Sequence, residues 1–372
     1  MMNDVYCIMP FIGMQYSVRG SSLCCSSPKY DISPYNFWNS DYMNDVRDDM
    51  LNGIMNVECS ACYDNESDGM KSMRQGFNQY HHTDKLSKNI QYLDLDLSNK
   101  CNLSCLMCNS DRSSQIAKQD GIYVETNGVN NISSEVLRDI KRLSFVDMKL
   151  LLLQGGEPSI INEYHDICDF LEENDYKGNI DLNTITNATT LNVNSYSRFN
   201  GFKQKNIHIS LDGFGNINDY IRYGSKFAII EKNIHYLISH EFNITIAVTL
   251  QILSLIKFNQ FLQWVVNLKS MYSAPNIPKL NISWLYSPDE INIKNTPSKL
   301  RTHVLGEISE FEHSNVFEHS NVQYHDIVGV LSRTNSDDEV LVNGLMKFIH
   351  RVDESRGSNI YDFIPNFKEM IQ

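Results

Sequence analysis

"IQYLDLDLSNKCNLSCLMCNS", residues 90–110, runs from an alternating apolar stretch straight into three closely spaced cysteines. Leu93, Leu95 and Leu97 alternate with Asp94 and Asp96, the period of a strand with two different faces. Cys101, Cys105 and Cys108 then fall on the loop that leaves the strand. Three thiolates at this spacing can hold a metal or a cluster, but they fill only three of its corners. A structural zinc site takes four protein ligands. No fourth cysteine lies nearby, and the histidines upstream, His81 and His82, precede the strand. On a four-iron cluster, three thiolates leave one iron open to a small molecule, which is a catalytic arrangement.

Outward from this stretch the chain alternates. Five more short apolar runs follow, at 150–154, 180–186, 207–213, 244–251 and 280–286. Helical patterns separate them, among them "SSEVLRDIKRL" (133–143), "EYHDICDFLEEN" (163–174), "KFAIIEKNIHYLISH" (226–240) and "FNQFLQWVVNLKS" (258–270). Six strands alternating with helices predict an α/β fold on a parallel sheet, open or closed into a partial barrel. Chemistry in such folds sits at the C-terminal ends of the strands, where the glycines and polar residues crowd here. Gln251, Trp284 and Tyr286 also fall at strand ends, and core packing is the commoner fate of such residues.

Composition narrows the function classes. The chain has 372 residues and a formal net charge of −13, which argues against a basic surface tracking nucleic-acid phosphates. No apolar run reaches the ~20 residues that span a bilayer, so no membrane role is expected. The opening "MMNDVYCIMPFIGMQ" carries an early aspartate and no basic leader, and the expected location is cytoplasmic. In a reducing compartment, nine cysteines clustered as these are point to metal or iron–sulfur ligation rather than disulfides. Cys168 stands alone at helical spacing and reads as a core thiol. The direct repeat "FEHSNV" at 311–316 and 317–322 spaces His313, His319 and His325 six apart, which fits no shared face, and reads as a duplicated solvated loop.

The C-x3-C-x2-C pattern after the first strand of a β/α domain resembles the radical S-adenosylmethionine (radical SAM) superfamily. The resemblance implies a partial (β/α)6, TIM-like barrel over residues 83–300, followed by a helical extension at 301–372. It also assigns the open iron of a [4Fe-4S] cluster to S-adenosylmethionine. Met107 stands where an aromatic residue is usual. "LLLLQGGEPSI" (150–160) resembles the family's glycine turn, giving Gly155, Gly156 and Glu157 as cofactor contacts. "TITNATT" (184–190) supplies Thr186 and Asn187 near the ribose and carboxylate. Within "HISLDGFGNINDYIRYG" (208–224), Ser210 and Arg222 resemble the pair used on the cofactor's carboxylate, a sound match because a guanidinium binds a carboxylate bidentately. Asp212 and Gly213 are read as shaping the turn.

The first 82 residues read as a small irregular segment with one amphipathic helix around "YMNDVRDDMLNGIM" (42–55), which needs a staple. "YCIMPFIGMQYSVRGSSLCCSS" (6–27) and "NVECSACYDNESDGMKSMRQGFNQ" (56–79) resemble the small auxiliary-cluster domain called twitch, a shorter relative of SPASM. The matching features include Glu66, Gly69, Ser72 and Arg74. The implied ligands of a second, auxiliary [4Fe-4S] cluster are Cys7, one of Cys24 and Cys25, Cys59 and Cys62; Cys24 is favoured. A four-cysteine zinc knot fits the same residues. The closing "VDESRGSNIYDFIPNFKEM" (352–370) is similar to the tails of such proteins.

The resemblance implies an oxidoreductase-like enzyme that cleaves S-adenosylmethionine and abstracts hydrogen from a peptide or small polar metabolite. It also implies a reductant partner such as flavodoxin or ferredoxin, and the auxiliary cluster opens a two-electron oxidation. A non-catalytic Fe–S or zinc protein on the same scaffold and an RNA-modifying enzyme are the alternatives.

Overall fold

The computed structural model describes residues 5–81, 89–190, 196–275, 277–318, 320–333 and 338–372. His82, most of the connector at 78–89 and His319 lie outside the described residues. The chain divides into two compact units. The first comprises residues 1–100, 130–184 and 193–205; the second comprises 101–129, 185–192 and 206–372.

In the first unit, β1 (Gly13–Ser17), β2 (Gly20–Ser22), β3 (Tyr92–Asp96), β4 (Leu150–Gln154) and β5 (Asp181–Thr186) run in the order β2-β1-β3-β4-β5. Only β1 and β2 are antiparallel. Helix α1 (Asp41–Leu51) is the amphipathic helix expected from the sequence. Its Met43, Val46 and Met50 are buried at three- and four-residue spacing, and Ser40 caps it by accepting from Met43 N at 3.2 Å. Helix α2 (Ser60–Ser67) carries Cys62, and α3 (Met73–Tyr80) starts with a Ser72–Gln75 capping box. His81 follows α3, is half-buried and packs edge-on against Tyr92. β1 and β2 are two strands that the sequence pattern at 13–22 did not announce. Their polar and glycine content masks the alternation; β1 forms by pairing with β3 and β2 by pairing with β1.

Helices α4 (Ser134–Lys141) and α5 (Asn162–Glu173) complete the first unit. Tyr164, Ile167, Cys168 and Leu171 form the buried stripe of α5, and Cys168 is a free core thiol. The Tyr164 hydroxyl donates to Leu95 O at 2.9 Å and accepts from Leu97 N at 2.9 Å, fixing the end of β3.

In the second unit, β6 (Gln204–Ser210), β7 (Asn243–Leu250) and β8 (Lys279–Trp284) are parallel neighbours in that order. One face is apolar, with Ile207, Ile209, Ile244, Ile246, Val248, Leu280 and Ile282 buried. The other face carries Asn206, His208 and Ser210 in register with Asn243, Thr245 and Ala247. Helices α6 (Phe227–Ser239), α7 (Phe258–Ser270) and α8 (Asp338–Arg356) each bury an apolar stripe, Val342, Leu345, Phe348 and Ile349 in the case of α8. β2 and β8 each have a single strand neighbour, so the strands form an open, mostly parallel array of the partial-barrel type.

The histidine repeat departs from the solvated loop expected of it. Phe311, Val316 and Phe317 are buried, and Lys269 Nζ donates to Val316 O at 2.8 Å and Glu318 O at 3.0 Å. No described helix is long and apolar enough to cross a membrane.

Candidate active site

The cysteine loop belongs to the second unit and is fastened at almost every peptide. Ser114 brackets Cys101, its Oγ accepting from Cys101 N and donating to Cys101 O, both at 3.1 Å. Leu103 N points at Cys101 Sγ at 3.5 Å. Ser104 N and Leu106 N donate to Tyr223 O and Ile221 O at 3.0 and 2.9 Å. Cys108 N closes the loop on Cys105 O at 3.2 Å. Cys101 is buried, while Cys105, Met107 and Cys108 are half-buried.

Burial raises the Cys105 thiol above its ordinary pKa, with Arg222 pulling it back down. Burial likewise pushes Cys108 up to about 11, with Cys105 adding to the rise. These thiols are neutral until something cationic binds them, and binding must then release their protons. Among the described residues no three His, Cys, Asp or Glu groups converge as they would around one metal ion. A four-iron cluster, being larger than a single ion, seats its thiolates further apart, and three thiols on one loop are the donor chemistry it takes.

Arg222 lies 2.8 Å from Asp212 through Nε and 3.9 Å from Cys105 Sγ through Nη1. Burial opposes its charge, but Asp212 and then Cys105 hold it protonated. Asp212 is therefore more than a turn former: it is buried, accepts from Thr249 N at 2.7 Å and takes the Arg222 charge. Ser210 ends β6 beside Ala247 of β7. Thr186 Oγ1 accepts from Ala188 N at 3.0 Å. Asn187 donates to Asn102 Oδ1 at 2.9 Å, and Asn102 donates in turn to Thr189 Oγ1 at 2.8 Å. Asn187 thus holds the cysteine loop through Asn102, a residue the sequence did not single out.

In the first unit, Gly155 and Gly156 follow β4. A Cβ on Gly156 would sit 2.2 Å from Lys100 O, and Gly155 has φ +117°. The close approach that requires glycine is thus to the backbone leading into Cys101. Gly156 N donates to Ser98 O and Glu157 N to Lys100 O, at 2.9 and 2.8 Å. The buried Glu157 carboxylate accepts from Ser159 N and Oγ at 3.1 and 2.6 Å.

The N-terminal cysteines all lie in the first unit and are free thiols. Burial pushes Cys7 up to about 12, and it interacts electrostatically with Cys59 and Cys62. Cys59 is pushed to about 11, again chiefly by burial, with Cys62 next. Cys24 is lowered by a hydrogen bond from Cys25 and interacts with Cys7 and Cys59. Cys25 is exposed; it is raised by that same bond, by burial and by the Cys24 charge, with Lys29 pulling it back down. Glu66 and Arg74 form an ion pair, and Arg74 Nη1 donates to Tyr6 O at 2.8 Å, next to Cys7.

A buried polar chain, missed in the sequence, lies beside these cysteines. Lys29 Nζ donates to Gln15 Oε1 and, at 2.7 Å, to Ser22 Oγ. Gln15 Nε2 donates to Asp94 Oδ2 at 2.7 Å, and Gln154 Nε2 donates to Asp94 Oδ1 at 2.6 Å. Burial raises Asp94 to about 7. Gln15, Asp94 and Gln154 stand on three neighbouring strands, and no local pattern joins them.

Residues 95–265 match the model of the radical SAM superfamily. They are a radical SAM domain. The superfamily implies a [4Fe-4S] cluster and S-adenosylmethionine. Among solved structures, the chain is similar to native anSMEcpe with bound AdoMet, at 20% identity over 63% of each chain and a TM-score of 0.43. The same protein with AdoMet and Cp18Cys peptide matches at 19% identity over 63% of this chain and 62% of that one, with a TM-score of 0.41. Streptococcus suis SuiB bound to S-adenosylmethionine matches at 12% identity over 81% of this chain and 69% of that one, with a TM-score of 0.36. The chain spans about six-tenths of the length of the anSMEcpe structures. No curated protein matches it.

Proposed function

We propose that this protein is a radical SAM enzyme whose Cys101, Cys105 and Cys108 hold the catalytic [4Fe-4S] cluster. The bound cluster and S-adenosylmethionine supply a 5′-deoxyadenosyl radical, which takes one hydrogen atom from the substrate. The observation that carries this reading is the cysteine loop itself, three thiols on a rigidly bonded loop with Arg222 against Cys105. Gly155 and Gly156 bring the strand-end backbone against the peptides before Cys101, and Asn187 steadies Asn102. Thr186, Glu157, Met107, Ser210 and Arg222 are the remaining candidates for holding the cofactor. Positioning and the exclusion of stray donors are the work left to the protein.

Residues 1–82 are proposed to carry a second, auxiliary cluster on Cys7, Cys24, Cys59 and Cys62. It would supply one-electron redox chemistry and make a two-electron oxidation the net reaction. The mutual electrostatic reach of those four thiols supports this set, and the different surroundings of Cys25 support leaving it out. Polar strand faces in each unit suit a peptide or small polar metabolite as substrate, with a flavodoxin- or ferredoxin-like reductant.

The test is anaerobic reconstitution, reduction with dithionite and assay for 5′-deoxyadenosine. Wild type should form it, and a variant with Cys101, Cys105 and Cys108 all changed to Ala should not. That variant should retain about four irons. No nucleoside from wild type would overturn the catalytic reading, and loss of all iron from the variant would overturn the second cluster.

A further inference from the structure

The charge on Arg222 is largely answered by Asp212 at 2.8 Å. A second guanidinium comes from much further along the chain. Arg356, the last residue of α8, donates through Nη2 to Ser104 O and through Nη1 to Tyr220 O at 3.2 Å. It lies 5.2 Å over the Tyr223 ring, whose hydroxyl donates back to Arg356 O at 3.4 Å. The Ser104 peptide is thereby held from both sides, its N–H by Tyr223 O and its carbonyl by Arg356. Cys105 is the next residue and feels the Arg356 charge.

Two details separate this guanidinium from an ordinary structural arginine. Among the described residues its hydrogen bonds go to main-chain carbonyls and no carboxylate pairs with it at contact, Asp353 acting on its charge only at longer range. The nearest acid on its own helix, Asp353, is engaged by the Tyr220 hydroxyl at 3.1 Å, Ser358 Oγ at 2.8 Å and Ile360 N at 2.9 Å. The groups facing Arg356 are therefore Tyr220, Tyr223, Asp353, Cys105 and, beyond Cys105, the neutralised Arg222–Asp212 pair. Arg356 is half-buried, and the loss of water around its charge is offset when an anion arrives nearby.

We infer that Arg356 is a positioning residue for the catalytic cluster, fixing the Ser104–Cys105 peptide and holding an unpaired positive charge beside the Cys105 thiolate. This rests on the radical SAM reading of the loop. A cation at that place favours the more negative, reduced cluster. Arg356 therefore sets how readily the cluster is reduced, and α8 is part of the site rather than a passive extension.

The experiment is an EPR-monitored redox titration of the reconstituted full-length protein, following the signal that changes when S-adenosylmethionine is added. Wild type is compared with R356Q and R356K. R356Q should lower the reduced-to-oxidised ratio at a fixed poise about tenfold, equivalent to about 59 mV for one electron. R356K keeps the charge but not the fork to two carbonyls, and should stay near wild type in potential while taking up iron more slowly. Equal potentials in wild type and R356Q would overturn the inference, as would an R356K potential as low as that of R356Q. If R356Q binds no iron, the R356K comparison with wild type decides alone. Failure of wild type to give any signal responsive to S-adenosylmethionine would instead strike the cluster reading itself.

Discussion

Changing Asp94 to Asn should stabilise the protein above neutral pH and leave it little changed in acid. The Asp94 carboxyl is buried on β3, accepts from Gln15 and Gln154, and is raised by burial from 3.8 to about 7. A carboxyl whose folded pKa lies above its unfolded value contributes fully below the unfolded pKa. That contribution is lost as the pH rises through the folded one. Three pH units at 1.36 kcal/mol each give a total loss of about 4 kcal/mol, of which about 3 kcal/mol falls between pH 5 and pH 8.5. An amide carries no charge at either pH and escapes this loss. Gln15 is pinned by Lys29 and must keep donating, so the new side chain turns its oxygen that way. Gln154 can flip its amide to accept from the new NH2, at a cost of about 1 kcal/mol or less. Urea denaturation of D94N and wild type at pH 5 and 8.5 measures the difference. The stability gap should widen by about 3 kcal/mol toward alkaline pH. An unchanged gap would refute the reasoning, because the shared titrations of the other groups cancel in the comparison.

Gln251 is wholly buried and, among the described residues, neither of its amide atoms has a partner, so Q251M should raise stability by about 1–3 kcal/mol; a lower denaturant midpoint would count against this. Cys24→Ala should cost the proposed auxiliary site about four irons and Cys25→Ala none, read by iron and sulfide analysis in the variant with Cys101, Cys105 and Cys108 changed to Ala. Equal losses would sink the assignment of Cys24. Gly156→Ala sets a Cβ against Lys100 O, and should cost about 1–3 kcal/mol together with iron at the Cys101 loop. Full iron loading at unchanged stability would show that the loop gives way.

The six barrel strands were legible because each is a compact apolar run with a helix-period stretch behind it. All six occur within three residues of the expected ends. β1 and β2 were not legible. "GMQYS" and "GSS" hold too few apolar residues to alternate; the first takes its strand character from β3, almost eighty positions away, and the second from the first. The FEHSNV repeat failed for the opposite reason. Its residues look polar in sequence, while Phe311, Val316 and Phe317 find a core and Lys269 satisfies the turn's carbonyls.

The candidate site divides along the same line. Cys101, Cys105 and Cys108 could be read because their relation is local, as could the glycine turn. Arg356 meets Ser104 across 252 positions, and Gln15 meets Asp94 across 79. No periodicity links such pairs. The adjacent cysteines show how far local geometry can nevertheless go. Neighbouring side chains leave the backbone in different directions, so one cluster takes one of them. Cys24 interacts with Cys7 and Cys59, while Cys25 interacts with Cys24 and Lys29. Lys29 in turn reaches Asp94 through Gln15. Cys25 is exposed, and its raised thiol stays neutral across the range in which Asp94 titrates. Replacing Cys25 should therefore leave both the iron count and the pH dependence carried by Asp94 as they are, read by iron analysis and by urea denaturation at pH 5 and 8.5.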